Sequence, residues 1–255
     1  MQENHPNIYY EIKGEGKPLL FLHGFLEDHA MWESIYTNFL VEGFQCILVD
    51  LPCHGNSRFE GDECSMGFMA EEVHQLLDFL KITEPIQVVG HSMGGYVGLE
   101  LSQLRPTQLV LLHSNFWADS DSKKLDRDRV IKIVEQGKKK FIQEAIPNLF
   151  APENRENCAA IINQLIEKAS AIPYKEIQAA TAGMRDRSAF KNTEKSSFAM
   201  IHGELDPIIS TKMVKEELSQ LANKPQFISL QNVGHMSIWE DHPSLIKALK
   251  TLLIP

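Results

Sequence analysis

Ile86-Gln87-Val88-Val89-Gly90-His91-Ser92-Met93-Gly94 passes from an apolar, β-branched run straight into a serine flanked by glycines, and helix-forming residues follow at once. The pattern Gly-x-Ser-x-Gly alone arises by chance in on the order of one chain in ten of this length. Its setting makes it specific. A tight turn from strand to helix forces the serine into strained backbone geometry and projects its hydroxyl clear of the sheet. Side chains at Gly90 and Gly94 would collide across so sharp a turn. The helix start behind Ser92 also offers unpaired N–H groups and the positive end of a dipole. The plainer alternative is a Gly/Ser-rich connection with no chemistry.

Working outward, apolar runs of the same kind stand at 19–22, 46–49 and 109–112, and a β-branched run at 8–12. Continuous apolarity marks strands buried on both faces. Val73, Leu76, Leu77 and Leu80 recur at helical spacing, predicting a helix over 66–80, and a second helix is expected over 93–104. Buried strands alternating with amphipathic helices imply an α/β fold: a mostly parallel central sheet with helices on both faces. The alternation lapses after Ser114. Residues 116–190 show only helical patterns, with Val130-Ile131-Val134 and Ile161-Ile162-Leu165-Ile166 as apolar stripes. It resumes with a strand at 198–201, a helix at 211–221, a strand at 227–230 and a closing helix containing Leu245, Ile246, Leu249 and Leu252. The expected organisation is one core domain formed by 1–115 and 191–255, with 116–190 as an all-helical cap insertion. Neither border carries a Pro/Gly/Ser-rich linker.

A chain of 255 residues fits one large α/β domain and buries a core without disulfides or metal. Its 25 Lys and Arg against 34 Asp and Glu give a formal charge of −9, which argues against nucleic acid or an anionic membrane as partner. The one basic run, Lys138-Lys139-Lys140, reads as a solvated helix face. Cys46, Cys53, Cys64 and Cys158 form no C-x-x-C pair, and no Cys/His cluster has zinc-ligand spacing, so no metal is predicted. Residues 1–6 lack the features of a signal peptide, and no run reaches the roughly 18–20 apolar residues of a membrane span. A soluble, cytoplasmic protein is the expectation, of open oligomeric state.

The strand–serine–helix unit resembles the nucleophile elbow of the α/β-hydrolase family, where the acid follows a later strand and the histidine follows the last. Here His202-Gly203-Glu204-Leu205-Asp206-Pro207 follows one strand and Val233-Gly234-His235 follows the final one. The resemblance implies a triad of Ser92 as nucleophile, Asp206 as acid and His235 as base. Asp206 matches the family's G-x-x-D pattern; Glu204 is the nearby alternative, with Asp119 and Asp121 further ones. His91, His113 and His202 read as structural. An oxyanion hole needs two backbone N–H donors. The residue after the nucleophile assigns one to Met93, and His23-Gly24-Phe25, similar to the family's H-G-x motif, assigns the other to Phe25, with His23 holding the loop. The family's D-x-P-G-x-G-x-S loop reads Asp50-Leu51-Pro52-Cys53-His54-Gly55-Asn56-Ser57, with Cys53 in a usual glycine place. Cys53 beside His54 suggests a thiol catalyst, but nothing else supports one.

The resemblance thus implies a serine hydrolase acting on a small or medium ester or lactone through an acyl-enzyme, without cofactor. Serine at the elbow argues against the haloalkane dehalogenase and epoxide hydrolase branches, which use aspartate there. A C–C bond hydrolase is one alternative. Another is the menaquinone-pathway lyase-type synthase, which shares H-G-F and S-M-G-G but has arginine where Tyr96 stands. A small-ligand receptor or signalling protein that retains the triad is an alternative of another class. Phe116, Trp117, Phe141, Phe150 and Tyr174 lie in the insertion, and Trp117 and Phe150 are expected to line the pocket. For most of these aromatics, packing the insertion onto the sheet is the plainer role.

Overall fold

The computed structural model describes residues 7–191 and 197–254, so the reading of residues 1–6 lies outside the described residues. The first half supplies β1 (Tyr10–Lys13), β2 (Lys17–Leu22), α1 (Glu33–Leu40), β3 (Phe44–Val49), α2 (Met66–Phe79), β4 (Ile86–His91), α3 (Met93–Leu104) and β5 (Thr107–Leu112). Helices α4 (Asp121–Ala145), α5 (Ala159–Ala171) and α6 (Tyr174–Arg185) follow. The chain closes with β6 (Ser197–Gly203), α7 (Thr211–Gln220), β7 (Phe227–Leu230), α8 (Ser237–Glu240) and α9 (His242–Leu253). The strands make one sheet, β1-β3-β2-β4-β5-β6-β7, in which only β1 runs antiparallel to its neighbour. Parallel strands point their carboxyl ends the same way, so the turns after β2, β4, β5, β6 and β7 gather on one edge of the sheet.

Strand alternation sorts the apolar side chains into two layers. Leu20, Leu22, Val88, Leu109 and Leu111 pack with Val73 and Leu76 of α2, Val97 of α3 and Val214 of α7. Leu19, Phe21, Val89, Val110 and Leu112 face the other way, onto Phe39 of α1 and Leu245 and Leu249 of α9. Both layers are buried, which is why these strands read as unbroken apolar runs. β1 begins two residues later than the sequence suggests. Tyr9 N–H is drawn instead to Ser57 Oγ at 2.7 Å, so the approach to the sheet pairs with a loop side chain.

Between β5 and β6 the chain leaves the sheet for α4, α5 and α6. Ser120 caps α4, its hydroxyl accepting the Lys123 N–H at 3.3 Å. Gly137 breaks the helical backbone midway, with φ −128° and ψ 25°. Val134, Ile142, Ile162, Leu165 and Ala169 bury one another there, and Phe150 joins them against Leu26 and Met236. Lys138 departs from the expected solvated face. Its ammonium donates to the carbonyls of Ser170 and Ile172, both at 2.8 Å, satisfying the carboxyl end of α5, while Lys139 and Lys140 stay exposed. Among the described residues no helix is long and apolar enough to cross a membrane.

Candidate active site

Ser92 sits between β4 and α3 with φ 50° and ψ −112°, a backbone state that costs of the order of 1–3 kcal/mol and needs its surroundings to hold it. They do. Ser92 N–H donates to Leu112 O at 2.9 Å, and Ser92 O accepts Gly95 N–H at 3.0 Å and Ser114 Oγ at 2.7 Å. A Cβ on Gly90 would strike Gly94 O, and one on Gly94 would strike Leu22 O, so α3 can start this close to β2 only with glycine at both places. Met93, first residue of α3, has an N–H with no intrahelical acceptor.

The turn after β2 approaches from the other side. Glu27 N–H donates to Gly24 O at 3.3 Å, and Leu26 takes φ 65° at the third turn position, the arrangement of a type II turn. A Cβ on Gly24 would lie 3.6 Å from Ser92 Cβ, so this turn, with Phe25, passes directly beside the serine. His23 fixes it from behind: its Nε2 accepts Leu51 N–H at 2.8 Å, leaving its proton on Nδ1, which donates to Gly24 O at 2.8 Å. Cys53 takes φ 74°, which explains the usual glycine at that place. Its thiol is buried, and a hydrogen bond with Cys64 together with burial pushes it far above the usual thiol range, so the Cys53–His54 pair offers no thiolate.

At the ends of β6 and β7, Asp206 Oδ2 stands 2.7 Å from His235 Nδ1. Oδ1 accepts Ile208 N–H at 2.8 Å and Ile209 N–H at 3.0 Å. Burial alone would raise this carboxyl. The charge of His235 when protonated, with its Nδ1–H hydrogen bond, outweighs it and holds Asp206 well below the usual carboxylate range. With Nδ1 donating to Asp206, His235 presents Nε2 as its basic nitrogen. His113 Nδ1 and His202 Nε2 both lie 3.6 Å from Asp206 Oδ2, a grouping with ligand-like spacing. Each nitrogen is already committed: His113 Nδ1 accepts Gly203 N–H at 3.2 Å, and His202 Nε2 donates to Ile209 O at 2.8 Å. Burial pushes His113 down to about 4, so it stays neutral. Glu204 is exposed and pairs with Ser229 Oγ at 3.2 Å, apart from His235.

Ser92, His235 and Asp206 open onto one cavity of about 760 Å³, walled also by Phe25, Trp117 and Phe141. Phe150 corrects its expected role: it is fully buried, stacks toward Trp239 with ring centroids 6.5 Å apart and does not line the cavity. Asp119 lies on the wall between Arg127 and Arg187, and Asp121 is exposed at the start of α4, so neither meets His235.

Two carboxyls matter here that the sequence reading did not select. Glu240 Oε2 accepts Gly234 N–H at 3.0 Å, Ala151 N–H at 3.0 Å and Asn154 Nδ2 at 2.8 Å, and its Oε1 accepts Met236 N–H at 2.9 Å. It clamps both neighbours of His235 to the segment between α4 and α5, and His235 N–H itself donates to Leu149 O at 2.9 Å. Glu27 is the opposite case. It is 6% exposed, its Oε1 is buried without a partner among the described residues, and burial pushes its carboxyl up to about 8. No motif marks either glutamate: Glu240 joins two nearby N–H groups to Ala151 and Asn154, more than eighty residues away, and Glu27 Oε1 has no partner among the described residues.

Residues 17–153 match the family model described as alpha/beta hydrolase fold. The chain is 25% identical over 256 residues to the AB hydrolase superfamily protein YisY of Bacillus subtilis, covering 94% of this chain and 92% of that protein. It is 36% identical over 104 residues to the pimeloyl-[acyl-carrier protein] methyl ester esterase of Aeromonas hydrophila, a match spanning 40% of this chain and 39% of that one. Among solved structures, a thermophilic esterase from Thermogutta terrifontis superposes with TM-score 0.87 at 25% identity, over 96% of this chain and 92% of that one. The enol-lactonase from Burkholderia xenovorans shares the fold, with TM-score 0.85 at 18% identity over 97% and 96% of the two chains.

Proposed function

This chain belongs to the alpha/beta hydrolase fold family, and from that premise we propose that it is a serine hydrolase cleaving a small or medium carboxylic ester or lactone. Ser92 Oγ attacks the carbonyl carbon as His235 Nε2 takes its proton. Asp206 holds the imidazole tautomer and stabilises the imidazolium. The N–H groups of Phe25 and Met93 receive the oxyanion. His235 then protonates the leaving oxygen, and water repeats the sequence on the acyl-enzyme to release the acid. Residues 116–190 serve as a cap, with Trp117 on the substrate wall.

The observation that carries this reading is the 2.7 Å contact of His235 Nδ1 with Asp206 Oδ2 on the wall of the cavity onto which the strained Ser92 opens. The test is labelling by a fluorophosphonate probe beside a screen of p-nitrophenyl esters from acetate to laurate and a lactone panel. Wild type labels at Ser92 and hydrolyses short or medium esters or lactones. Labelling that survives in Ser92→Ala, or a chain that turns over no ester or lactone, overturns it.

A further inference from the structure

The α4 side of the cavity holds more positive charge than its neighbours neutralise. Lys123 and Arg127 stand one turn apart on α4 and both line the cavity. Asp119 is the carboxylate among them, and both its oxygens are taken: Arg127 Nε lies 3.2 Å from Oδ2 and Arg187 2.7 Å from Oδ1. Arg187 is spent. It donates to Met184 O at 2.8 Å, Trp117 O at 3.1 Å and Asn115 Oδ1 at 3.3 Å, and lies 3.9 Å over the Tyr96 ring. Arg127 keeps its two terminal amino groups, and the half-buried Lys123 ammonium makes no hydrogen bond or ion pair among the described residues.

Among the described residues none of the other acids of the wall pairs with Lys123 or Arg127. Asp206 is committed to His235 and backbone donors. Glu27 is held neutral by burial. Glu216 is exposed on α7 and stands 3.8 Å from Lys212, with half-buried Glu217 beside it. The groups acting on Lys123 are Arg127 and Arg187 against Asp119 and Asp126; burial, with the two arginines, pushes its amine below the ordinary lysine range. An unpaired ammonium beside unspent guanidinium N–H groups is a receptor for a carboxylate.

We propose that Lys123 and Arg127 form a subsite for a second, ionised carboxylate on the substrate, remote from the scissile carbonyl. The substrate class is then a half-ester of a dicarboxylic acid, with Val130, Phe141 and Leu149 of the same cavity against its methylene chain. This deepens the serine-hydrolase reading and rests on it.

The test compares monomethyl with dimethyl esters of succinate, glutarate, adipate and pimelate. Rates are read as kcat/KM in wild type, and affinities by calorimetry in Ser92→Ala, which needs no turnover. The monoester is favoured by about tenfold or more at its best chain length in both. Lys123→Gln abolishes the preference, Lys123→Glu inverts it, and added salt weakens it. Equal affinity for mono- and diesters at every length, or a preference unchanged in Lys123→Gln, overturns the subsite. Fluorophosphonate labelling of wild type without monoester preference breaks the subsite alone. A monoester preference in Ser92→Ala, with wild type that neither labels nor turns over, breaks the serine-hydrolase reading alone.

Discussion

The turn after β2 and the turn after β6 are built alike and behave oppositely. Each ends a parallel strand at the same edge of the sheet, each starts from a glycine, and each carries a buried carboxyl on the cavity wall. Asp206 receives two backbone N–H groups and an imidazole, so it remains an anion despite burial. Glu27 receives no hydrogen bond at Oε1 among the described residues and is held as a neutral acid. A buried carboxyl is an ion only where the fold aims donors at it. The turn after β6 spends its backbone on holding charge. The turn after β2 spends its own on presenting Phe25 beside Ser92.

The largest effect should fall on the anionic side. Asp206→Asn keeps the shape but favours the wrong tautomer of His235, and is expected to lower kcat by up to ~10⁴ if the serine-protease comparison holds. Glu204→Gln, on the same turn but exposed, should leave kcat within a few-fold. Steady-state kinetics on one p-nitrophenyl ester decides it, and a reversed order would move the acid to Glu204.

How much of this was legible follows from range. Ser92, Asp206 and His235 sit in turns whose pattern is written within a few residues, so motif and the family's chain order point to them, and the structure sets Asp206 beside His235 on one cavity with Ser92. The layers of the sheet were legible for the same reason. Lining of the cavity is set by packing between elements far apart in sequence, and there the reading failed in part: Trp117 reaches the cavity, while Phe150 is taken up by Trp239 and the core of the inserted helices. Lys138 misled similarly, because the carbonyls it satisfies lie more than thirty residues away.

That failure supplies a second contrast. Phe150→Ala should cost ~3–5 kcal/mol of stability, measured by urea unfolding, with the acyl-chain profile unchanged. Trp117→Ala should cost less stability yet shift the ratio of short- to long-chain rates by ~10–200-fold. Exchange of these two outcomes would mean that the cavity wall is wrongly drawn.

Glu240 tests whether the donor argument extends from Asp206 to a carboxylate that never meets substrate. Glu240→Gln turns an acceptor of four hydrogen bonds into a group with one amide, and loosens Gly234 and Met236 on either side of His235. A fall of about 10–100-fold in kcat with KM little changed is expected, since misplacing a catalytic group by ~1 Å costs that much. Partial recovery in Glu240→Asp and a shifted pH–rate profile would mark a positioning role. A uniform loss of folded protein would mark a merely structural one.

The sharpest test of the contrast is the pH dependence of stability. Glu27 has a folded pKa of about 8, above the ~4.3 of an unfolded glutamate, so between these values the folded state binds more protons than the unfolded one. Stability must then fall as pH rises through this window, by at most ~1.4 kcal/mol per pH unit, and level off above about 8. Asp206, depressed when folded, acts in the other direction: its contribution is present above the unfolded carboxylate value and is lost as pH falls through the folded one. Glu27→Gln should therefore make the decline between about pH 5 and 8 shallower while leaving the acid limb unchanged, and Asp206→Asn should make the acid limb alone shallower. Denaturant midpoints taken from pH 3 to 9 separate the two. A decline as steep in Glu27→Gln as in wild type would show that Glu27 ionises freely in the fold, and that the two turns hold their carboxyls in the same way after all.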